Sequence, residues 1–178
     1  MSVPKKPKDV LLVLSILGSK WDQFWPKLQE DLKESLGEIE YISPMILFTE
    51  TTYYDRELGT PIYRRVLSFN DLVSPDKLSD IKLTTNEIEK KYAKQDGSRI
   101  FNLDPGILSF ERFVLATGKE YTHRIYLKDG IWADLTLIFQ KGRWQTLPWT
   151  YPDYARKDLQ EILSFLRDNY KKKLKENR

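Results

Sequence analysis

The hydrophobic pattern opens with VLLVLSIL at Val10 to Leu17, apolar at both parities, as in a central strand covered on both faces. Trp21, Phe24, Trp25, Leu28, Leu32 and Leu36 then recur at helical spacing and stop at Gly37, which predicts a helix closed by a C′ glycine. Pro26 must lie near the first turn of that helix or kink its axis. Alternation through Ile39 and Tyr41, a break at Pro44 and the run Ile46, Leu47 and Phe48 complete a β-α-β unit. The segment ETTYYDRELGTP, Glu50 to Pro61, has no clean period and reads as a loop with room for one helical turn. A strand is predicted from Ile62 to Phe69. Ser74 and Pro75 then make a helix start, a hydroxyl N-cap followed by a proline where its missing N–H costs nothing. Leu78, Ile81, Thr85, Ile88 and Tyr92 share one face, while Thr84 to Glu87 fits a capping box and allows two helices meeting near Leu83.

In the second half, Arg99 to Leu103 reads as a short strand ending in a turn at Asp104, Pro105 and Gly106. Ile107 to Thr117 stays open between strand and short helix. Tyr121 to Phe139 forms the clearest local signal, a hairpin around Lys128, Asp129 and Gly130. A three-residue loop, a type I turn with a glycine bulge, sets Leu127 opposite Ile131, Ile125 opposite Ala133 and His123 opposite Leu135 on one apolar face. The other face then pairs Tyr126 with Trp132 and Arg124 with Asp134. A second tight turn at Lys141 and Gly142 leads into a strand through Leu147, and Pro148 and Pro152 keep the next segment extended. A last helix from about Asp153 stripes Leu159, Leu163, Leu166, Tyr170 and Leu174. The sum is an α+β chain: a mixed, largely antiparallel sheet with packed helices, beginning with a β-α-β unit and ending in a β-meander and a C-terminal helix.

Composition narrows the classes. The 178 residues include no cysteine, which removes disulfides and thiolate chemistry and fits a reducing, cytoplasmic setting. No apolar run approaches the roughly 20 residues that span a bilayer, so no membrane is expected. With neither repeat nor linker, residues 1–178 read as a single domain. The net charge is +3, but the two ends, residues 1–8 and 171–178, hold eight basic residues and one acidic residue, a net +7 that leaves −4 on the body. The ends read as frayed, solvated basic tails. A body of that sign makes nucleic acid a less expected partner, since a nucleic-acid grip concentrates basic residues on the fold itself.

Signatures of known chemistry are mostly absent. His123 is the one histidine, so a multi-imidazole zinc site is excluded, and no metal ligand set is identified, although a carboxylate Mg²⁺ site can draw ligands from anywhere. Gly118 and Lys119 fail as a phosphate loop, because Phe113 stands where the first glycine belongs and Glu120 replaces the hydroxyl residue. No motif identifies a cofactor, a reaction or an oligomeric state. Three stretches are both polar and aromatic: Thr49 to Glu57, with Thr51, Thr52, Tyr53, Tyr54 and Arg56; Asn102 with Asp104; and His123 and Arg124 with Trp149, Thr150 and Tyr151. Aromatic walls with a few hydroxyls and charges line ligand pockets, although such mixtures also occur in ordinary loops packed on a sheet. The expected ligand-binding set is Thr52, Tyr53, Tyr54, Glu57, Asp104, His123, Arg124, Trp149 and Tyr151, for a small polar or anionic ligand. Arg124 would be the main anion donor. An RNA-associated or protein-interaction module without catalysis is the alternative. The hairpin register puts His123 on the apolar face, where it reads as a packed histidine.

These same stretches carry a resemblance. FTETTYYDRELG, NLDPG, HRIYLKDGIWADLTL and WQTLPWTYPDY, in this order and over nearly the whole chain, resemble the family called domain of unknown function 4416. The resemblance implies a compact prokaryotic protein of about this size with no assigned activity. It brings no catalytic residues, but it marks Thr52, Tyr53, Tyr54, Asp104, His123, Arg124, Trp149 and Tyr151 as a candidate shared site.

Overall fold

The computed structural model describes residues 1–176. Nine strands, β1 (Val10–Gly18), β2 (Ile39–Ile42), β3 (Ile46–Leu47), β4 (Tyr63–Val73), β5 (Phe101–Leu108), β6 (Arg112–Thr117), β7 (Arg124–Lys128), β8 (Ile131–Gln140) and β9 (Arg143–Thr146), form one sheet. Its order is β2-β4-β1-β5-β6-β8-β7, with β3 beside β4 and β9 beside β8, and every pairing is antiparallel. The opening β-α-β unit is present in split form, because β4 lies between β1 and β2. The helices are α1 (Trp21–Leu36), the single turn α2 (Asp55–Leu58), α3 (Leu78–Lys91) and α4 (Lys157–Glu176). The two parities of β1 serve two cores, which is why the strand is apolar throughout. Leu12, Leu14 and Ile16 pack with Leu28 and Leu32 of α1 and Ile81 and Ile88 of α3. Leu11 and Val13 pack with Leu159, Leu163, Leu166 and Tyr170 of α4. Among the described residues no helix is long and apolar enough to cross a membrane.

The sheet splits beside β5, and this split shapes everything nearby. β5 runs straight through Asp104, Pro105 and Gly106, where a turn was expected, and pairs with β1 over its full length. It meets β6 only from Gly106 to Leu108, leaving the outer edge of its first half without a strand. Helix α3 supplies the missing partners: Glu89 Oε1 accepts the Leu103 N–H at 2.5 Å, and Lys82 Nζ donates to the Leu103 carbonyl at 2.9 Å. Pro105, two residues on, faces the same open side, so its absent N–H leaves no ladder bond unmade. Gly106 is required by packing, since a Cβ there would lie 2.8 Å from the Phe113 ring. Helix α3 passes Leu83 without a break, because the Thr84 and Thr85 hydroxyls bond back to the Asp80 and Lys82 carbonyls instead of capping a new helix.

The β7–β8 hairpin keeps its expected register by a different route. Arg124 stands opposite Asp134, Ile125 opposite Ala133 and Tyr126 opposite Trp132. Asp129 and Gly130 both have positive φ, 53° and 77°, so the turn is a two-residue loop of the primed type rather than a type I turn. A bulge at Leu127 restores the register: the ladder shifts between Tyr126 and Lys128, and Lys128, not Leu127, faces Ile131. The face expected to be uniformly apolar is open to solvent on β7, where Ile125 is 70% exposed. His123 lies before the strand and turns to Asp134 instead of joining Leu135 and Leu137. Helix α4 continues to Glu176, so Lys171 to Lys175 form its last turns rather than a frayed tail, and Lys173 pairs with Glu40 at 3.0 Å. Arg178, the other basic residue of that end, lies outside the described residues.

Candidate ligand-binding face

The first two stretches are joined by a chain of charged hydrogen bonds. Tyr54 caps α2, whose Leu58 is fully buried against Leu17, Phe48 and Ile62, so the loop is fixed at its C-terminal end. Glu57 on that turn grips Arg99 through both oxygens, Nε to Oε1 at 2.7 Å and Nη2 to Oε2 at 2.9 Å. The Arg99 guanidinium holds the Glu57 carboxyl below its ordinary range. Arg99 Nη1 then donates to Asn102 Oδ1 at 2.6 Å, Asn102 Nδ2 donates to Asp104 Oδ2 at 2.5 Å, and Lys82 reaches Asp104 Oδ1 at 3.3 Å. Asn102 and Asp104 alternate with Phe101 and Leu103 and so face the α4 side of the sheet.

The third stretch is organised by Asp134, a carboxylate only 3% exposed. Its Oδ2 accepts from Arg124 Nε at 2.9 Å and lies 3.0 Å from His123 Nε2. An acceptor-only carboxylate places a proton on the imidazole Nε2. The ring stacks on Trp149, 4.8 Å between centroids and 12° from parallel, and Trp149 is fixed by its indole N–H on the Leu135 carbonyl at 2.8 Å. Thr150 bonds the Thr136 carbonyl at 2.6 Å. The remaining Arg124 nitrogens donate to the Lys119 carbonyl at 2.9 Å and to the Tyr151 hydroxyl at 2.7 Å.

The stretches meet at Tyr53 and Tyr54. Their rings are edge to face at 4.9 Å, and Lys119 Nζ lies 5.2 Å from the Tyr53 ring centroid and 3.4 Å from its hydroxyl. Burial, with the negative charge of Asp104 adding to it, pushes the Tyr54 phenol up. Tyr54, Tyr53, Lys119, Arg124 and Tyr151 therefore form one contiguous surface, which His123, Trp149 and Tyr121 extend, and Asp104 is tied to it through Asn102, Arg99 and Glu57 on the α2 turn. Thr52 and Arg56 are exposed and make no side-chain hydrogen bond to it. The Arg124 side chain is 7% exposed with all three nitrogens engaged, so it frames the surface more than it offers donors. Lys119 is the cation without a carboxylate partner here among the described residues. Sequence reasoning missed it by testing Gly118 and Lys119 only as a phosphate loop.

The family model described as Domain of unknown function (DUF4416) matches residues 8–170. The chain belongs to this family. No curated protein and no solved structure matches it. In this DUF4416 chain the match spans every element that builds the aromatic face, from the Thr49 to Glu57 loop through Tyr151.

Beneath the face of the DUF4416 chain, Glu89 gives a testable pH signature. It is 8% exposed, and burial raises its carboxyl above the ordinary value of 4.5 despite Lys82 and Arg99 nearby. Between that value and the raised one, the folded chain keeps a proton that the unfolded chain releases. Its contribution to stability therefore falls as pH rises through the window. Glu89→Gln removes this titration while keeping an acceptor for Leu103. Urea midpoints measured from pH 4.5 to 7 should show wild type losing stability relative to the glutamine variant, whereas parallel profiles would refute a raised Glu89.

Proposed function

We propose that this chain binds a small anionic ligand that carries a planar ring, of mononucleotide size and chemistry, on the face centred on Tyr53, Lys119 and Tyr151. The reading rests on one observation: the exposed Tyr53 ring, at 66%, stands against the ammonium of Lys119, which has no carboxylate partner among the described residues, and the exposed Tyr151, at 48%, stands beside it on the Arg124 that Asp134 holds. Rings of this kind stack on flat ligand groups regardless of their edge pattern, and the ammonium supplies one anion contact. One unpaired cation suits one phosphate. A nucleic-acid strand would need a row of them, and the body of the chain is negative. Such a metabolite also fits a cytoplasmic setting. No reaction is assigned to the site.

Calorimetric titration with the four ribonucleoside 5′-monophosphates, and with a short single-stranded oligonucleotide, tests the reading. Tyr53→Ala should weaken mononucleotide binding by about 5- to 150-fold, the range for one stacked base. Lys119→Ala should weaken it and lower the salt dependence by about one ion. Binding confined to the oligonucleotide would move the assignment to single strands, and wild-type affinity in both variants would remove the face from consideration.

A further inference from the structure

We propose that Asp104 reads the ribose of the bound nucleotide, so that the face selects ribonucleotides over their 2′-deoxy counterparts; this rests on the nucleotide reading above. Among the described residues, Asp104 is the one carboxylate near the surface that is both braced and open. Its side chain is 32% exposed, while Lys82, which braces it, is 9% exposed. Each carboxylate oxygen receives one donor from the protein, Oδ1 from Lys82 and Oδ2 from Asn102. A second lone pair remains on each, and a carboxylate only accepts, so the group matches a ligand that presents two adjacent O–H donors. A ribose diol is such a ligand, and a carboxylate is its common protein partner.

Placement supports the match. Asp104 is tied through Asn102, Arg99 and Glu57 to the α2 turn that Tyr54 caps, and Lys119 lies against the Tyr53 ring on the other side of the tyrosine pair. A nucleoside 5′-monophosphate carries its diol and its phosphate at opposite ends of the sugar, with the ring projecting between them. The other carboxylates are consumed: Glu57 by both edges of Arg99, and Asp134 by His123 and Arg124 at 5% side-chain exposure. Bracing by Lys82 and Asn102 also fixes the Asp104 rotamer, so no side-chain ordering is required on binding.

The experiment compares dissociation constants of the four ribonucleoside 5′-monophosphates with those of their 2′-deoxy forms, on the full chain and on Asp104→Asn. The wild type should favour the ribo form by about tenfold or more, as expected for a hydrogen bond to a charged acceptor. Asp104→Asn should bring the ratio close to one by weakening the ribo form alone. Equal wild-type affinities would overturn this inference and leave the nucleotide reading standing, as would a ratio that survives Asp104→Asn. Binding of neither form would overturn the reading and the inference with it. The wild-type ratio needs no variant, so the test holds even where Asp104→Asn fails to fold.

Discussion

Replacing Arg64 with alanine is expected to destabilise the chain by about 3 to 5 kcal/mol, the usual cost of stripping one partner from a buried ion pair. Arg64 stands on β4 opposite Leu17, is 5% exposed, and donates from Nη2 to Asp153, itself 8% exposed. The guanidinium lies 5.3 Å from the Phe48 ring centroid and 5.1 Å from that of Tyr154, so truncation removes packing as well as charge. The dominant loss is the carboxylate left behind, which has no other cation within ion-pairing distance among the described residues. In a chain of this length the effect corresponds to a fall in Tm of roughly 6 to 20 °C. Arg64→Met keeps the stem and still strands Asp153, so it should cost nearly as much. The double change Arg64→Met with Asp153→Leu should recover a large part, because the Arg64 Nε–H is already buried without a partner and its desolvation goes uncompensated in the native state. Denaturant midpoints of the singles and the double settle this, and a loss below about 1 kcal/mol for Arg64→Ala would mean the pair is solvated in practice.

Such buried charges mark where the sequence became hard to read. The strand Val10 to Leu17 and the stripes of α1, α3 and α4 were legible because burial follows period, and period survives any tertiary arrangement. The register of Arg124 and Asp134 was legible too, since the faces of the hairpin had to stay unmixed, while the turn was misread because a bulge one step away compensated for it. The segment Asp104, Pro105 and Gly106 misled for a different reason. Its local chemistry is that of a turn, and only partners far away, Lys82 and Glu89 on a helix, make an extended path tenable. Those two residues lie outside the stripe of Leu78, Ile81, Thr85, Ile88 and Tyr92 and are nevertheless buried. For the candidate site, the polar-aromatic stretches pointed to side chains that do come together. Arg124, however, was expected as the main anion donor beside Asp134, and its three nitrogens are occupied in three dimensions. Lys119 looked incidental and is the open charge, because whether a cation has a partner depends on contacts that no local pattern records.

The last expected result concerns the frame of the face. Asp134→Ala should cost about 3 to 5 kcal/mol, since it leaves the Arg124 guanidinium, with its side chain 7% exposed, without its carboxylate. Asp134→Asn keeps the shape and one acceptor, so it should cost less, about 1.5 to 3 kcal/mol, the range for a hydrogen bond to a charged group. Neither change touches the exposed rings, yet both should loosen them. Arg124 fixes the Tyr151 hydroxyl and the Lys119 carbonyl, and the carboxylate fixes the imidazole that stacks on Trp149. Mononucleotide affinity should therefore fall alongside stability, although Asp134 lies below the surface and contacts no ligand. The readout that separates this from general destabilisation is the imidazole itself. Nitrogen NMR of the single histidine should show the proton on Nε2 in the wild type and a mixture of tautomers in Asp134→Asn under conditions where both chains are folded. An unchanged tautomer with an unchanged denaturant midpoint would mean that solvent, not Asp134, holds Arg124 and His123 in place.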